Sequence, residues 1–216
     1  MNYQYLVSVI INNFNYGDYL NEAIDSVINQ IYSSVEIIVV DDGSTDNSRD
    51  IIVSYGDKIT PIFKENGGQA SAFNSGFAAS KGNIICFLDS DDFFYFGKLE
   101  KIIELFLKNP TIDFIFHQLK YVREEKHEVY LKQKQELRTE IIDFRQSFQE
   151  GKRFQYPLHC ATSGLCFRYD LLNQILPMPE ELKIVSDNYL KYAALGLSKG
   201  MFLADKLAFQ RIHSSN

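Results

Sequence analysis

Short apolar runs alternate with helically periodic segments along the first 92 positions. YLVSVII at 5–11, VEIIVV at 35–40 and IICFL at 84–88 are β-branched or aromatic runs of strand length, nearly unbroken by polar residues. DYLNEAIDSVINQIY, between the first two, places Leu20, Ile24, Val27, Ile28 and Ile31 at helical spacing, with Asp18 positioned to cap the helix. A second helix is predicted over 45–55. PIFK then reads as a short strand. GQASAFNSGFAAS reads as a third helix, whose small residues let it pack close to a sheet. Unbroken apolar strands separated by helices imply an α/β fold: a Rossmann-like, mostly parallel central sheet with helices on both faces.

The second half is less regular. KLEKIIELFLKN, stopped by Pro110, predicts an amphipathic helix, and TIDFIFHQLKYV predicts a strand. A charged, sparsely apolar stretch at 123–140 precedes a predicted helix over 141–149. QYPLHCATSG reads as a loop, Leu165–Arg168 as a strand followed by a helix, SDNYLKYAALG as a helix, and KLAFQRIH as a last strand. Neither an internal repeat nor a low-complexity linker interrupts the chain. One domain, 1–216, is the economical reading, with 1–92 and 93–216 as its two halves.

Two of the strands end on acid. VEIIVV runs into Asp41-Asp42-Gly43-Ser44, and IICFL into Asp89-Ser90-Asp91-Asp92. Like charges this close repel, so each cluster needs a reason. Ligands of parallel α/β sheets sit outside the carboxyl ends of the strands. A hard divalent cation, Mg2+ or Mn2+, would neutralise the Asp89–Asp92 group while sharing the phosphates of a substrate. The rival reading is a solvated turn whose aspartates cap the next helix. For Asp41-Asp42, Gly43 permits a tight turn and Ser44 or Asp46 can cap the following helix. Neither role accounts for two adjacent carboxylates at the end of an apolar strand.

Composition narrows the choices. The net charge of −6, without a basic stripe, disfavours nucleic acid as a partner. No apolar run reaches the roughly 18 residues of a membrane span. MNYQYLVSVIINN lacks the features of a signal peptide. The three cysteines, Cys86, Cys160 and Cys166, read as reduced core residues, which points to a cytoplasmic setting, with peripheral contact at the inner face of a membrane left open. No G-x-G-x-x-G follows the first strand, and Gly76–Lys81 is not a Walker loop.

Four segments together resemble the family-2 glycosyltransferases of the GT-A fold: VSVIINNFNYGDYLNEAIDSVINQIY, EIIVVDDGSTDNS, NGGQASAFNSGFAASKGNIICFLDSDD and LAFQRIHSSN. The resemblance implies metal-dependent, inverting transfer of a sugar from a nucleoside diphosphate donor, UDP-linked by expectation. The acceptor would be a saccharide or a lipid-linked saccharide. Asn12 and Phe14 match positions lining the nucleobase pocket, although the family's usual residues there differ. Asp42 matches the aspartate at the base edge, and Gly67, Gly68 and Gln69 the loop beside the nucleotide. Asn74 keeps the family's asparagine, while Phe73 replaces a common arginine. Asp89 and Asp91 match the Asp-x-Asp motif, Asp91 as the direct metal ligand and Asp89 toward the ribose or a metal-bound water. Asp187 matches the catalytic base, here preceded by Ser186 instead of glutamate, and an ordinary helix cap is its rival role. His213 resembles a histidine that approaches the diphosphate or metal. Thr162-Ser163-Gly164 resembles the acceptor-side segment.

The same residues admit two rival activities and one rival without activity. A sugar nucleotidyltransferase would need a glycine-rich basic loop where NNFNYGD stands. A phosphatase with an aspartyl nucleophile would need Thr or Val at Phe93. A non-catalytic sugar-nucleotide-binding protein on a degenerate GT-A fold is supported only by the missing glutamate before Asp187.

Overall fold

Alternate residues of the strands feed two apolar cores, one on each face of a single sheet. The computed structural model describes residues 5–123, 128–130, 139–152, 160–182 and 185–213. In chain order the first half comprises β1 (Val7–Asn13), α1 (Gly17–Ile28), β2 (Val35–Asp41), α2 (Ser48–Ser54), β3 (Thr60–Phe63), α3 (Gln69–Ala79) and β4 (Ile84–Asp89). The second half comprises β5 (Phe93–Phe94), α4 (Lys98–Lys108), β6 (Phe114–Arg123), β7 (Glu128–Tyr130), β8 (Glu140–Ile142), α5 (Arg145–Gln149), β9 (Leu165–Arg168), α6 (Tyr169–Ile175), α7 (Ser186–Leu197) and β10 (Gly200–Ile212).

The sheet runs β3-β2-β1-β4-β9-β6-β10-β5, with β7 beside β6 and β8 beside β10. β3, β2, β1 and β4 are mutually parallel, β9 runs antiparallel between β4 and β6, and β10 is parallel to β6. Val9, Ile11, Val39, Cys86 and Leu88 join one core; Ile10, Ile38, Val40, Ile85 and Phe87 join the other. The two-residue repeat of a strand forces this division, and it explains why these strands carry apolar residues at nearly every position. α1 and α4 close the first core through Leu20, Ile24, Leu99 and Phe106. α3, α6 and α7 close the second through Phe73, Leu172 and Leu190.

Several expectations are corrected. Asp18 lies in the first turn of α1, not at its cap; the Gly17 N–H instead donates to Asp46 Oδ2 at 2.9 Å, from the loop after β2. α1 stops at Ile28, so Ile28 and Ile31 are exposed and do not extend the core stripe. The backbone departs there: the Gln30 N–H reaches back to Val27 and the Ile31 N–H donates to the Phe96 carbonyl, while the Gln30 side chain braces the turn. Its amide donates to the Tyr95 carbonyl and accepts from the Leu99 N–H, tying the chain to α4 and leaving no further helical turn. Residues 141–142, expected to open a helix over 141–149, instead pair with β10 as part of β8, and the helix is confined to α5. The last strand starts at Gly200, well before the KLAFQRIH run, because its first half packs between β6 and β8. Parts of the charged stretch and of the loop before Cys160 lie outside the described residues.

The small residues of α3 have the expected use. A Cβ on Gly76 would lie 2.4 Å from Ile10 Cγ2 and 3.2 Å from Val40 Cγ2, so the helix sits directly on β1 and β2. Gly76→Ala should therefore destabilise the fold by about 1–3 kcal/mol, the usual cost of overpacking. A lowered urea midpoint measures this, and an unchanged midpoint would mean that α3 does not ride on the sheet at this distance.

Candidate active site

The carboxyl ends of three parallel strands meet at one rim. Register pairs Asn12 with Asp89 across β1 and β4, and Asn13 with Asp41 across β1 and β2. Each asparagine amide donates to the neighbouring carboxylate: Asn12 Nδ2 to Asp89 Oδ1 at 2.9 Å, Asn13 Nδ2 to Asp41 Oδ1 at 3.0 Å. β1 thus ends in two neutral donors flanked by two acids. A cavity of 510 Å3 opens over this rim, lined by Asn12, Phe14, Tyr16, Asp42, Asn66, Gly68, Gln69, Asp89, Ser90, Asp91 and Gln210 among others. A larger groove of 630 Å3 runs beside α4 and contains none of the rim carboxylates.

The two acidic clusters are held differently. Asp41 is fully buried and also accepts from Arg49 Nε at 3.1 Å and from the Ser44 N–H. Asp42 shapes the loop before α3. Its Oδ1 accepts from Lys64 Nζ at 2.6 Å and from the Gly67 N–H at 3.0 Å, and its Oδ2 from the Gly68 N–H at 2.7 Å. Gly68 is the residue this turn demands, since its φ of 85° is one that L side chains rarely adopt. Asp46 accepts from the Ser48 N–H at the start of α2, so the capping role expected near Gly43 falls to it.

At the end of β4, Asp89, Asp91 and Asp92 each bring an oxygen within 4.8 Å of the others. Asp92 is buried and anchored: Ser163 Oγ donates to its Oδ2 at 2.6 Å and the Arg211 N–H to its Oδ1 at 3.1 Å. Ser163 Oγ also accepts from the Asp89 N–H at 3.1 Å, so one hydroxyl braces both ends of the loop. Arg211 Nε donates to the Asp91 carbonyl at 3.2 Å, and its guanidinium lies between the Tyr19 and Phe93 rings. His213 Nε2 lies 3.2 Å from Asp91 Oδ2 and stacks on Tyr19. Gln69 Nε2 bridges Asp89 Oδ1 at 3.3 Å and Thr162 Oγ1 at 3.4 Å.

Crowding shifts the protonation of this group. Burial pushes the Asp89 carboxyl up to about 7, and the charges of Asp91 and Asp187 add to the effect against hydrogen bonds from Asn12 and Thr162. Burial, then Asp91 and Asp89, pushes Asp92 well above the usual carboxylate range. Burial and the same three acids keep the Tyr16 phenol protonated beyond its ordinary range. Asp187 is thus near enough to Asp89 to be felt electrostatically, although it opens α7 in the other half of the chain. Its Oδ2 accepts from Lys191 Nζ at 2.7 Å.

The donor set suits a hard divalent cation. Carboxylate oxygens gathered within 4.8 Å of one another are the kind of ligand Mg2+ or Mn2+ takes. Asp89 and Asp91 would hold the ion, with His213 beside Asp91, while the two hydrogen bonds to Asp92 assign it to bracing the loop.

Of the remaining predicted residues, Phe14 is exposed at the cavity mouth. The Asn74 amide is engaged at both ends by the Met178 backbone, at 2.9 Å each way, and ties α3 to the loop before α7. Phe73 is buried against Phe87, so the position of the common arginine is part of the core. Sequence reasoning passed over Tyr16, Asn66, Gln210, Lys64, Lys191 and Arg211. Lys191 carried a signal, because it falls four residues after Asp187 on the same helix face. Gln210 and Arg211 fall in the LAFQRIHSSN segment, just before His213.

A testable consequence follows from Asp89. Its folded pKa, about 7, exceeds the unfolded value of about 3.9. Its contribution to stability is therefore complete below about pH 4 and lost as pH rises through 7. In EDTA, the melting temperature should fall between pH 5 and pH 8, and less so in Asp89→Asn. Thermal denaturation across this range checks it; equal declines in both proteins would contradict the assignment.

Comparison with known proteins agrees with this architecture. The family described as Glycosyl transferase family 2 matches residues 8–176. An uncharacterized glycosyltransferase of Nostoc sp. is 38% identical over 217 residues, covering 97% of this chain and 66% of that protein. This chain therefore spans just under two thirds of that relative. TarS of S. aureus (residues 1–349, in complex with UDP) superposes with a TM-score of 0.77 at 24% identity, covering 96% of this chain and 60% of that one. The mannosyltransferase PcManGT of Pyrobaculum calidifontis, in complex with GDP-Man and Mn2+, gives 0.70 at 17% identity, covering 99% and 59%. The fold is that of the GT-A glycosyltransferases. With its family match running from β1 through α6, the chain belongs to glycosyl transferase family 2.

Proposed function

We propose that this chain transfers a sugar from a nucleoside diphosphate sugar, UDP-linked in our reading, to a hydroxyl of a saccharide or lipid-linked saccharide, with inversion at the anomeric carbon. The observation that carries the proposal is the pairing of Asp89 and Asp91 at the rim of the cavity, close enough to share an ion; the charge of Asp187, from the second half, acts on Asp89 and supports its place beside them. The UDP and GDP-Man of the two structural neighbours support a nucleotide donor, and the Mn2+ of the second supports a divalent cation.

The cavity over β1, β2 and β4 receives the nucleotide, with Asp42 and the Gly67-Gly68 loop at its far end and Phe14 at its mouth. Asp89 and Asp91 would hold Mg2+ or Mn2+. When bound, such an ion supplies positive charge to the departing diphosphate, which an acidic protein otherwise repels. Asp187 accepts the proton of the acceptor hydroxyl as that oxygen bonds to the anomeric carbon. The bond from that carbon to the diphosphate breaks, and the nucleoside diphosphate leaves with the electron pair. A single displacement inverts the centre and needs no covalent intermediate, so the buried cysteines have no part in it.

Two variants test the roles separately. General-base assistance is worth roughly 100- to 10,000-fold, so Asp187→Asn should lose about that much turnover while still binding UDP in the presence of Mn2+. Turnover is read as UDP or GDP release from a panel of nucleotide sugars; undiminished release in the variant would remove Asp187 from this role. Asp91→Ala should abolish Mn2+-dependent binding of UDP by calorimetry, and an unchanged titration would contradict the cation site. A wild-type chain that binds these donors but never hydrolyses or transfers them would instead be a binding protein on this fold.

A further inference from the structure

Lys191 is a charged side chain in an unusual place. It lies on α7 with its residue surface 7% exposed, on a helix whose Leu190, Ala194 and Leu195 are buried in the second core. A buried ammonium is tolerated only where its charge and its donors are matched. Two partners match it here. Nζ donates to Asp187 Oδ2 at 2.7 Å, one helical turn back, and to the Cys160 carbonyl at 2.8 Å. The first is the carboxylate proposed above as the base. The second opens the segment that reaches Thr162 and Ser163, which brace Asp89 and Asp92 from the other side.

We propose that Lys191 is a positioning residue for Asp187. It fixes one oxygen of that carboxylate and pins the start of α7 to the segment that supports the metal-loop carboxylates. Among the described residues the hydrogen bond to the Asp187 carboxylate is the one from Lys191, and without it that side chain has rotamer freedom at the start of the helix. The residue before Ser186 adds to the need for a clamp. Val185 is held at φ 57°, a left-handed conformation that a β-branched side chain resists, so the turn presenting Asp187 is strained. Both features concern the orientation of a base, not the affinity of the cavity for nucleotide. Lys191 is absent from the lining of that cavity, and both its contacts are internal.

This inference rests on Asp187 being the base, and a double-mutant cycle separates the two. The variants are Lys191→Met, Asp187→Asn and the pair combined, assayed as release of nucleoside diphosphate from whichever UDP- or GDP-linked sugar the wild-type chain turns over fastest. Misplacing a reacting group by about 1 Å costs on the order of 100-fold. Lys191→Met should therefore lower kcat by roughly 10- to 100-fold with the donor KM changed less than twofold. In the Asp187→Asn background the same substitution should cost almost nothing, because the group it positions is gone. An equal loss in both backgrounds would overturn the role of Lys191 and leave Asp187 as the base. Undiminished turnover in Asp187→Asn alone would overturn both. A loss in Lys191→Met expressed as weaker UDP binding would assign Lys191 to the donor site instead, contrary to the proposal. If Lys191→Met fails to bind UDP and Mn2+ because it does not fold, Lys191→Gln, which keeps a donor and drops the charge, carries the same cycle.

Discussion

Electrostatic repulsion among Asp89, Asp91 and Asp92 is the constraint around which the rim is built. Three carboxylates at the end of one strand are unstable on their own, and the fold spends a set of buried polar groups to keep them there. Asn12 and Gln69 donate to Asp89, Ser163 and the Arg211 backbone to Asp92, and His213 sits against Asp91. The partners come from β1, α3, the 162–164 turn and the end of β10. Segments far apart in sequence thus converge to hold a charge cluster that contributes nothing to packing. Burial first, and the neighbouring carboxylates second, still hold Asp89 and Asp92 above the usual carboxylate range against these hydrogen bonds. A cation would offset much of the repulsion, and the phosphates of a nucleotide would in turn be drawn to the cation.

The second acidic cluster is of a different kind. Asp41 and Asp42 are consumed by protein donors, Arg49, Lys64 and the amides of Gly67 and Gly68, and so act as scaffolding for the far wall of the cavity. The contrast gives the site a direction. One end of the cavity is neutralised internally, while the other keeps excess negative charge. A donor lying between them would place its base toward the neutral end and its diphosphate toward the acidic one. Asp187, at the start of α7, is near enough for its charge to act on Asp89, and in the proposed reaction it serves that acidic end.

Much of this was legible along the chain because strand periodicity and strand-end chemistry are local. The runs of β1, β2 and β4 state their own burial, and the aspartates that follow each run state their own anomaly. The asparagines of β1 were visible as residues but not as partners, since pairing Asn12 with Asp89 requires the register of two strands separated by α1, β2, α2, β3 and α3. The stop of α1 was hidden for a similar reason. Ile31 fits the helical stripe, and contacts with the distant Phe96, Tyr95 and Leu99 hold the chain out of the helix there. Residues 141 and 142 read as helix along the chain because β8 owes its conformation to pairing with β10, not to its own propensity. Asn74 illustrates the limit of motif matching: its position suggests a ligand contact, yet both ends of its amide are taken by Met178.

The central claim, that the strand-end carboxylates exist to hold a cation bearing a nucleoside diphosphate, is tested most directly by anomalous diffraction. Crystals grown with Mn2+ and UDP should show a manganese peak at coordination distance from Asp91, next to Asp89, with the diphosphate on its open side. A map with no peak at that rim, and the aspartates bonded only to protein donors, would contradict the account.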